Sequence, residues 1–384
     1  MWPSPRSEHS HRTLSRVTEP AEETTATRSR AGSASDQDRS ERRLTRRGWT
    51  LLVSGALFVA FALVGFFIPV PYVAISPGPT YDTLGTDAAG QPVIQVNGHE
   101  IFQTSGELRM TTVSLRDGGI TLFNALGLWA SGRYALAPRE EYFKPGETNE
   151  QVRQENIQQL QDSQSAAQVA ALRRKSPVKV LAKTIVSGSP ADKVLAPGDR
   201  LLVVNGKTVT EAADVRAALN GTKPGQTVQI TFKSDGQDER TVPLTLAQRP
   251  DGPEGFMGLT AVDRADVPFD VKISLQDVGG PSAGLMFALA IVDKMEPGDL
   301  AGGRHIAGTG EITEKGVVGA IGGISFKVVG AREAGATDFL VPAHNCAEAK
   351  TAAPDGLNLI QVSTLDEAIA QLENLKAGRP TASC

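Results

Sequence analysis

The chain has 384 residues, of which 40% are hydrophobic and 21% are charged, with 39 basic and 43 acidic side chains. This composition is that of a globular protein with two or three domains, and it excludes a wholly disordered or fibrous chain. Five histidines and two cysteines, without a CxxC or HExxH string, argue against a structural zinc protein, so we expect no metal and no cofactor.

Positive charge is concentrated at the N-terminus, where residues 1–48 contain ten Arg against seven Asp and Glu. These residues are rich in Ser, Thr, Arg and Glu, which predicts a disordered tail because they cannot bury enough apolar surface. The remainder of the chain is acidic, whereas a nucleic-acid binder normally has a basic face on its folded part. We therefore expect no nucleic-acid partner.

Residues 49–71 begin with an uncharged apolar run that ends at Ile68 and predicts a single transmembrane helix. Four arginines precede the run, whereas prolines and uncharged residues follow it, so the positive-inside rule places the N-terminus in the cytoplasm. The predicted location is the cell membrane, with everything from Tyr72 onward extracytoplasmic. A cleaved signal peptide is the competing interpretation, but the run is longer than an h-region and no convincing A-x-A site follows.

Two segments follow the predicted span. Residues 72–146 contain short runs rich in Val, Ile, Thr and Tyr between Pro and Gly, which predict a β-rich segment whose strands are available to a larger sheet. Residues 147–176 are dense in Gln, Glu and Ala, with only a sparse apolar stripe. This pattern predicts a largely exposed helix that serves as a spacer.

Residues 177–250 alternate strand-like runs with one short helix that ends near Gly221. The strings GSPA (188–191), PGDRL (197–201) and VNGK (204–207) resemble the bacterial PDZ domain. That resemblance implies a groove that takes an extended peptide end by strand addition, and Val215 and Leu219 on the helix are its candidate lining residues. Their alternative role is as core residues of the same helix.

A nucleotide site is not expected, although the triplet GKT at 206–208 matches the last three residues of the P-loop motif. The P-loop motif requires Gly five positions before Gly206, and this sequence has Leu201 there, inside a strand-like run.

The cysteines Cys346 and Cys384 leave two alternatives. One bridge forms if the compartment is oxidising, or both thiols stay unpaired, and the unpaired state is the favoured interpretation.

The last third of the chain carries the candidate chemistry. An alternating strand pattern at 269–276 leads into VGGPSAG (278–284) and then an apolar helix, which places Ser282 near a helix N-terminus. Such a position suits acyl transfer, because backbone N–H groups and the helix dipole stabilise a developing negative charge. Gly280 to Gly284 also satisfies the G-x-S-x-G elbow of α/β-hydrolases, for which only His305 and His344 follow as triad histidines.

A second interpretation uses four motifs in order. GPSAG (280–284), TGEI (309–312), IGG-x-x-x-K (321–327) and FLVP (339–342) resemble the proteolytic domain of Lon across residues 251–375, which leaves 376–384 as a tail. With the PDZ segment and one span, the chain resembles membrane-anchored Lon-like proteases that carry a PDZ domain (the YlbL type). The implied fold class is multidomain: one N-terminal transmembrane helix, a β-rich PDZ domain and an α/β (α+β) proteolytic domain.

The resemblance to Lon implies a Ser-Lys dyad with Ser282 as nucleophile and Lys327 as general base, while Thr309 orients the lysine and Gly280 and Gly284 support the serine. Such a lysine must lose its proton near neutral pH, which requires burial to lower its pKa. An exposed lysine and a serine that caps a helix are the structural alternatives for these two residues.

The predicted function is an ATP-independent serine endopeptidase, because the resemblance includes no ATPase module. It would cleave flexible or unfolded extracytoplasmic proteins or peptides that the PDZ domain presents. The resemblance also implies a homo-oligomer, specifically a hexamer. The alternative is a catalytically silent, membrane-tethered PDZ scaffold for exported proteins.

Overall fold

The computed structural model describes residues 46–275 and 278–384. The predicted disordered tail, except for residues 46–48, lies outside the described residues. The chain forms two units, residues 1–59 and residues 60–384. The elements up to residue 176 are α1 (Arg46–Phe67), β1 (Tyr72–Asp82), β2 (Ile94–Asn97), β3 (Glu107–Arg116), α2 (Leu122–Ala130), β4 (Ala135–Pro138) and α3 (Asn149–Leu172).

Residues 177–265 contribute most of the remaining strands. They are β5 (Val178–Ile185), β6 (Arg200–Val204), β7 (Lys207–Thr208), α4 (Ala212–Leu219), β8 (Thr227–Lys233), β9 (Arg240–Thr245), β10 (Ala247–Gln248), β11 (Gly255–Phe256) and β12 (Leu259–Ala265). The C-terminal elements are β13 (Asp270–Ile273), α5 (Gly284–Met295), β14 (His305–Gly308), β15 (Glu311–Ile312), β16 (Val318–Gly319), α6 (Ile324–Glu333), β17 (Asp338–Pro342), α7 (Cys346–Ala352), β18 (Asn358–Val362) and α8 (Leu365–Lys376).

Helix α1 contains the apolar run that the sequence predicts to span a membrane. Within the part of the chain that the structure describes, it is the one helix long and apolar enough to do so. At about 1.5 Å per residue, its 22 residues give about 33 Å, close to the thickness of a hydrocarbon core. The helix ends at Phe67, shortly before Pro69, whose ring disfavours helical backbone in the preceding residue.

A six-stranded sheet joins the segment after α1 to the C-terminal third of the chain. Its strand order is β18-β17-β14-β3-β1-β4, in which β3, β14, β17 and β18 are parallel and β1 pairs antiparallel with β3 and β4. Three strands of the predicted segment 72–146, β1, β3 and β4, therefore belong to the same sheet as strands that follow the candidate serine, whereas β2 pairs with β13 in a two-stranded sheet. Helix α5 is buried almost completely in the core on this sheet.

Helix α3 corrects the prediction of a largely exposed spacer. It begins with a capping box between Thr148 and Gln151, and its second half is buried against α5 and the core. Five of the eight buried residues are small, among them Ser163, Ala167 and Ala170, and the other three are Leu160, Val169 and Leu172. Small side chains give a weak apolar pattern, but they allow two helix backbones to approach closely. The sparse apolar pattern of the sequence therefore understates how much of α3 is buried.

The PDZ segment forms a second sheet, with strand order β12-β5-β6-β8-β9 and β7 paired to β6. The predicted helix is α4, which ends at Leu219 before Gly221 at φ +77°. The predicted boundary at residue 250 is too early, because β12 pairs with β5 as the edge strand of this sheet. No sequence pattern marked β12 as a partner of a strand more than 70 residues earlier.

The C-terminal residues return along the sheet, and Cys346 and Cys384 form a disulfide. The favoured expectation of two unpaired thiols is wrong. The reason lies in the tertiary structure. The backbone N–H of Gln361 donates to the carbonyl of Ala382, and that of Cys384 donates to the carbonyl of Leu359, so the C-terminal residues lie beside β18. This path brings the two Cα atoms to 5.3 Å, within the range that a disulfide requires.

Candidate active site

The loop that carries Ser282 is held by α3. Asn156 accepts a hydrogen bond from the backbone N–H of Gly280 at 3.0 Å, and the Ser163 hydroxyl donates to the carbonyl of Pro281 at 2.9 Å. Gly280 has φ +89°, a conformation that favours glycine. The loop ends where α5 begins, so half-buried Ser282 lies beside a helix N-terminus, as the sequence predicts.

Gly284 has a different reason to be glycine. A Cβ atom there would lie 2.7 Å from Cγ2 of Ile312 and 2.8 Å from Oγ of Ser163. The residue therefore allows α5 to begin in close contact with both α3 and the TGEI motif. The two predicted supporting glycines act through backbone conformation at Gly280 and through close packing at Gly284.

Lys327 lies in the first turn of α6, which begins after Gly323 at φ +69°. Asn345 holds the loop before this helix with two hydrogen bonds of 2.9 Å. Its amide nitrogen donates to the carbonyl of Ile321, and its amide oxygen accepts from the N–H of the same residue. Asn345 is buried and gave no signal in the sequence analysis, because an isolated Asn near a short helix has no recognisable motif.

Three predicted residues meet at one point. The amine Nζ of Lys327 lies 2.7 Å from Oγ of Ser282 and 2.9 Å from Oγ1 of Thr309. The Thr309 hydroxyl donates in turn to the backbone carbonyl of Ser282 at 3.0 Å. Lys327 is 2% exposed and Thr309 is completely buried, so the alternative of an exposed lysine at a helix start is wrong.

Burial lowers the pKa of Lys327 from 10.5 to about 8, because removal from water disfavours the ammonium form. The nearby charge of Glu311 acts in the opposite direction and raises this pKa. The net result is an amine that is neutral in an appreciable fraction of molecules slightly above neutral pH. A neutral amine within hydrogen-bond distance of a hydroxyl can accept its proton.

A cavity of about 470 Å³ opens over the Ser282 hydroxyl. Its lining combines the serine loop, Glu311, Lys327 and the motif around Ile321 with residues from earlier in the chain. These earlier residues come from β1, β3 and α3: Pro79, Tyr81, Met110 to Ser114, Asn156 and Gln159. The sequence analysis missed them, because their contribution depends on strand pairing across about 200 residues.

The α/β-hydrolase interpretation is wrong for this site. Neither His305 nor His344 lines the cavity over Ser282. His305 instead contacts the carboxylate of Glu107 at 2.9 Å on the exposed end of its strand. Among the described residues, the basic group within hydrogen-bond distance of the serine hydroxyl is the Lys327 amine.

The candidate peptide groove also forms a cavity of about 470 Å³, between α4 and residues 254–261. Val215 and Leu219 both line it, and Val215 is at the same time part of the buried core of this sheet. The other wall is β12 and residues 255–258 before it, which lie beyond the predicted domain boundary. Arg216 adds positive charge at this cavity, whereas the charge of Arg249 is balanced by ion pairs with Asp251 and with Glu254, which also lines the cavity.

Comparison with known proteins agrees with both resemblances. A family model described as the Lon protease (S16) C-terminal proteolytic domain matches residues 265–374, and a PDZ domain model matches residues 155–244. The chain contains a Lon proteolytic domain and a PDZ domain. The Lon domain match includes the serine loop, TGEI, the lysine motif and FLVP, whereas β1, β3 and α3 lie outside it.

Individual relatives match over the same region. Lon protease 1 of Sorangium cellulosum is 38% identical over 121 residues, which are 31% of this chain and 15% of that protein. Lon protease 1 of Bacillus subtilis is 34% identical over 110 residues, or 28% of this chain and 14% of that protein. The match therefore spans about one seventh of these relatives.

Among solved structures, the PDZ domain of an SdrC-like protein from Listeria monocytogenes is 25% identical, covers 22% of this chain and 86% of that chain, and has a TM-score of 0.20.

Proposed function

We propose that this chain is a membrane-anchored, ATP-independent serine endopeptidase with Ser282 as nucleophile and Lys327 as general base. One observation carries the proposal: a lysine that is 2% exposed has its amine 2.7 Å from the hydroxyl of a serine that lines an open cavity. Burial has lowered the pKa of that lysine to about 8. An amine in this state activates a hydroxyl as an acyl-transfer nucleophile.

The first half of the reaction forms an acyl-enzyme. Neutral Lys327 accepts the proton from Ser282 as Oγ attacks the peptide carbonyl, which becomes a tetrahedral oxyanion. The N–H of Leu285 in the first turn of α5 is bonded to the carbonyl of Gly310 at 3.1 Å, and that of Phe287 is bonded to the carbonyl of Ala283. The candidate donor to the oxyanion is therefore the N–H of Gly284, the first residue of α5. The protonated amine of Lys327 then donates to the departing amino group.

The second half releases the acyl group. A water molecule gives its proton to Lys327 and attacks the ester of Ser282, and the lysine returns the proton to the serine oxygen. Thr309 keeps the lysine amine in place through both halves, because it accepts from Nζ while its own hydrogen is committed to the carbonyl of Ser282.

Helix α1 would anchor the chain as a single pass, with the N-terminus in the cytoplasm and the Lon domain outside. Its support is the length and apolar composition of α1 together with the arginines that precede the apolar run. The substrates would then be flexible or unfolded extracytoplasmic proteins. A homo-oligomer, a hexamer by resemblance to Lon, is the proposed working state.

The PDZ domain would hold an extended segment of the substrate. Strand β12 is the edge of its sheet, and edge strands offer free backbone groups to an added strand. The cavity beside β12 provides Leu219 as an apolar contact and Arg216 as a cationic contact for an acidic or carboxylate group. The chemistry of this groove suits an extended peptide end with an apolar side chain.

The proposal is tested with the full chain in lipid vesicles and fluorescently labelled unfolded casein, without ATP. We expect cleavage by the parent protein and none by Ser282→Ala or Lys327→Met. The matched control is Ser325→Ala, which removes a hydroxyl from the same motif whose partner is Glu348 rather than the dyad. This control should cleave at the parent rate.

Circular dichroism of each variant shows that it is folded. Persistent cleavage by folded Ser282→Ala would exclude the mechanism. Absence of cleavage by every version, with binding of casein retained, would favour the silent scaffold instead. Leu219→Asp tests the groove: we expect a higher KM for casein and an unchanged kcat, since Leu219 lies in the PDZ domain rather than in the cavity over Ser282.

A further inference from the structure

Helix α2 presents an apolar face that no protein segment covers within the described residues. Leu122, Leu126 and Trp129 are 46%, 49% and 66% exposed, and their spacing of four and three residues places them on one side of the helix. The opposite side is anchored, because Ala125 is buried and Leu128 packs beside it. From residue 118 to residue 132 the sequence has no charged side chain.

The end of α1 contacts this helix directly. The ring of Phe123 lies 4.7 Å from that of Phe66, between centroids, and it also covers Gly65, the one buried residue of α1. A Cβ atom on Gly65 would come within 2.5 Å of the Phe123 ring. The backbone is joined as well, since Val70 donates a hydrogen bond of 2.8 Å to the carbonyl of Ile120.

These contacts fix the depth of α2 if α1 spans a bilayer. Gly65 and Phe66 belong to the last turn of α1, which ends at Phe67, and each residue of a helix rises by about 1.5 Å. Phe123 therefore lies level with the end of the apolar span, where the hydrocarbon gives way to headgroups. Tryptophan is enriched at that depth, because its ring is apolar and its N–H remains hydrated.

We propose that α2 is an interfacial helix whose apolar face, formed by Leu122, Leu126 and Trp129, is inserted into the outer surface of the bilayer beside α1. The occupant of this face is lipid, and the inference rests on the membrane anchor of the proposed function. A second copy of the chain is the alternative occupant. Phe67 and Ile68 at the end of α1 are exposed, and the apolar face of α2 lies at the same depth. Lipid that surrounds these two residues would also cover this face, which favours lipid over a second copy.

The consequence is a fixed position for the active site above the membrane. Strand β1 begins at Tyr72, four residues after Ile68, and Pro79 and Tyr81 near its other end line the cavity over Ser282. At about 3.3 Å per residue, the 13 residues from Ile68 to Tyr81 keep the cavity within about 43 Å of the end of the apolar span. Insertion of α2 beside Phe67 and Ile68 would give the domain a second point of attachment to the bilayer.

The three tryptophans of the chain, Trp2, Trp49 and Trp129, make the test direct. The full chain with Trp2→Phe and Trp49→Phe is reconstituted in vesicles of phosphatidylcholine and phosphatidylglycerol, with or without bromine on the acyl chains. We expect a blue-shifted Trp129 emission, loss of that emission in brominated lipid, and protection from iodide added to the outside. Two control proteins are matched to it. One retains Trp49 alone, and the other has Val186→Trp, an exposed position of the PDZ domain, as its sole tryptophan.

Each result has one meaning. Quenching of both Trp49 and Trp129 by brominated lipid, with quenching of the Val186→Trp protein by iodide alone, supports the inference. Quenching of Trp49 but not Trp129 overturns it and leaves the anchor intact. Protection of Trp129 from both quenchers assigns the face to a second copy and also overturns it. Absence of lipid quenching at Trp49 refutes the anchor itself, whereas casein cleavage reports on the dyad separately.

Discussion

The hydroxyl of Thr309 donates a hydrogen bond of 3.0 Å to the backbone carbonyl of Ser282, and this bond leaves its lone pairs to the Lys327 amine. Thr309 thus orients the amine of Lys327 and also joins the end of β14 to the backbone of Ser282. A group with this role acts by positioning, so its removal should change the pH profile as well as the rate.

For Thr309→Val we expect kcat/KM to fall by about tenfold to a hundredfold, because a hydrogen bond to a charged group contributes about 1.5–3 kcal/mol. The pKa of Lys327 should fall further, since the ammonium form loses more from a missing acceptor than the neutral amine does. The midpoint of the pH–rate profile should therefore move to lower pH. Thr309→Ser, which keeps the hydroxyl, should restore both quantities, and an unchanged midpoint in Thr309→Val would contradict the positioning role.

The rate itself should rise with pH around the pKa of Lys327. The reaction requires the neutral amine, and burial places the pKa at about 8, so kcat/KM should increase from pH 6 to a plateau above about pH 9. The measurement is initial cleavage of casein across this range by the full chain in vesicles. A profile that falls over the same range would exclude Lys327 as the general base.

The same burial destabilises the fold at neutral pH. A drop in pKa from 10.5 to about 8 corresponds to about 3 kcal/mol of lost stability. The free energy of unfolding is lowered by this full amount below pH 8, and the loss disappears as the pH rises toward 10.5. Lys327→Met should therefore unfold at a higher denaturant concentration than the parent at pH 7, and the difference should shrink above pH 8. Lys350→Met, at an exposed position, should show no such trend.

Asn345 should matter to both activity and stability, because its amide satisfies the buried N–H and carbonyl of Ile321 ahead of Lys327. Asn345→Ala leaves both groups unpaired, at a cost of about 1–3 kcal/mol for each. We expect a lower Tm and a lower kcat/KM. Parent activity in Asn345→Ala at a reduced Tm would show that Asn345 contributes to stability alone.

The disulfide between Cys346 and Cys384 closes a loop of 38 positions. The chain-entropy model gives about 3–4 kcal/mol for a loop of this size, so reduction should lower the unfolding midpoint markedly. Thiol titration of the folded, oxidised protein should detect no free cysteine. The double variant Cys346→Ser, Cys384→Ser provides the control, since reductant should leave its midpoint unchanged. Two titratable thiols in protein from an oxidising compartment would contradict the bridge.

Asp293 on α5 has a buried carboxylate whose two oxygens differ in hydrogen bonding. Its oxygen Oδ1 accepts from the N–H of Leu300 at 2.5 Å, while Oδ2 has no hydrogen-bond partner among the described residues. Burial raises its pKa from 3.8 to about 6, so the charged form destabilises the fold above pH 6 and the penalty disappears below pH 3.8.

We expect Asp293→Asn to raise the free energy of unfolding at pH 7, by at most about 3 kcal/mol, and to lose this advantage as the pH falls through 6 toward 3.8. Urea unfolding at several pH values measures it. Asp355→Asn, at an exposed position, is the control and should show no pH-dependent difference. Destabilisation by Asp293→Asn at pH 7 would contradict the assignment of a penalty to the charged carboxylate.

Several elements were predictable because neighbouring residues encode them. The apolar run of α1, the alternation around β13 and the helix that follows Ser282 all depend on periodicity and on breakers such as Pro297. The prediction for α3 succeeded as a helix and failed as an exposed spacer. Five of its eight buried residues are Ala or Ser, which carry little apolar signal and allow close packing on α5.

The sequence by itself determined the order of the motifs, the candidate residues Ser282, Thr309 and Lys327, and one apolar helix at the N-terminus. Only the tertiary structure decided the 2.7 Å contact between serine and lysine, the burial that lowers the lysine pKa, and the disulfide. Local patterns report which side of an element is apolar. Distances between residues 38 or 45 positions apart depend on strand pairing and loop closure, which no local pattern contains.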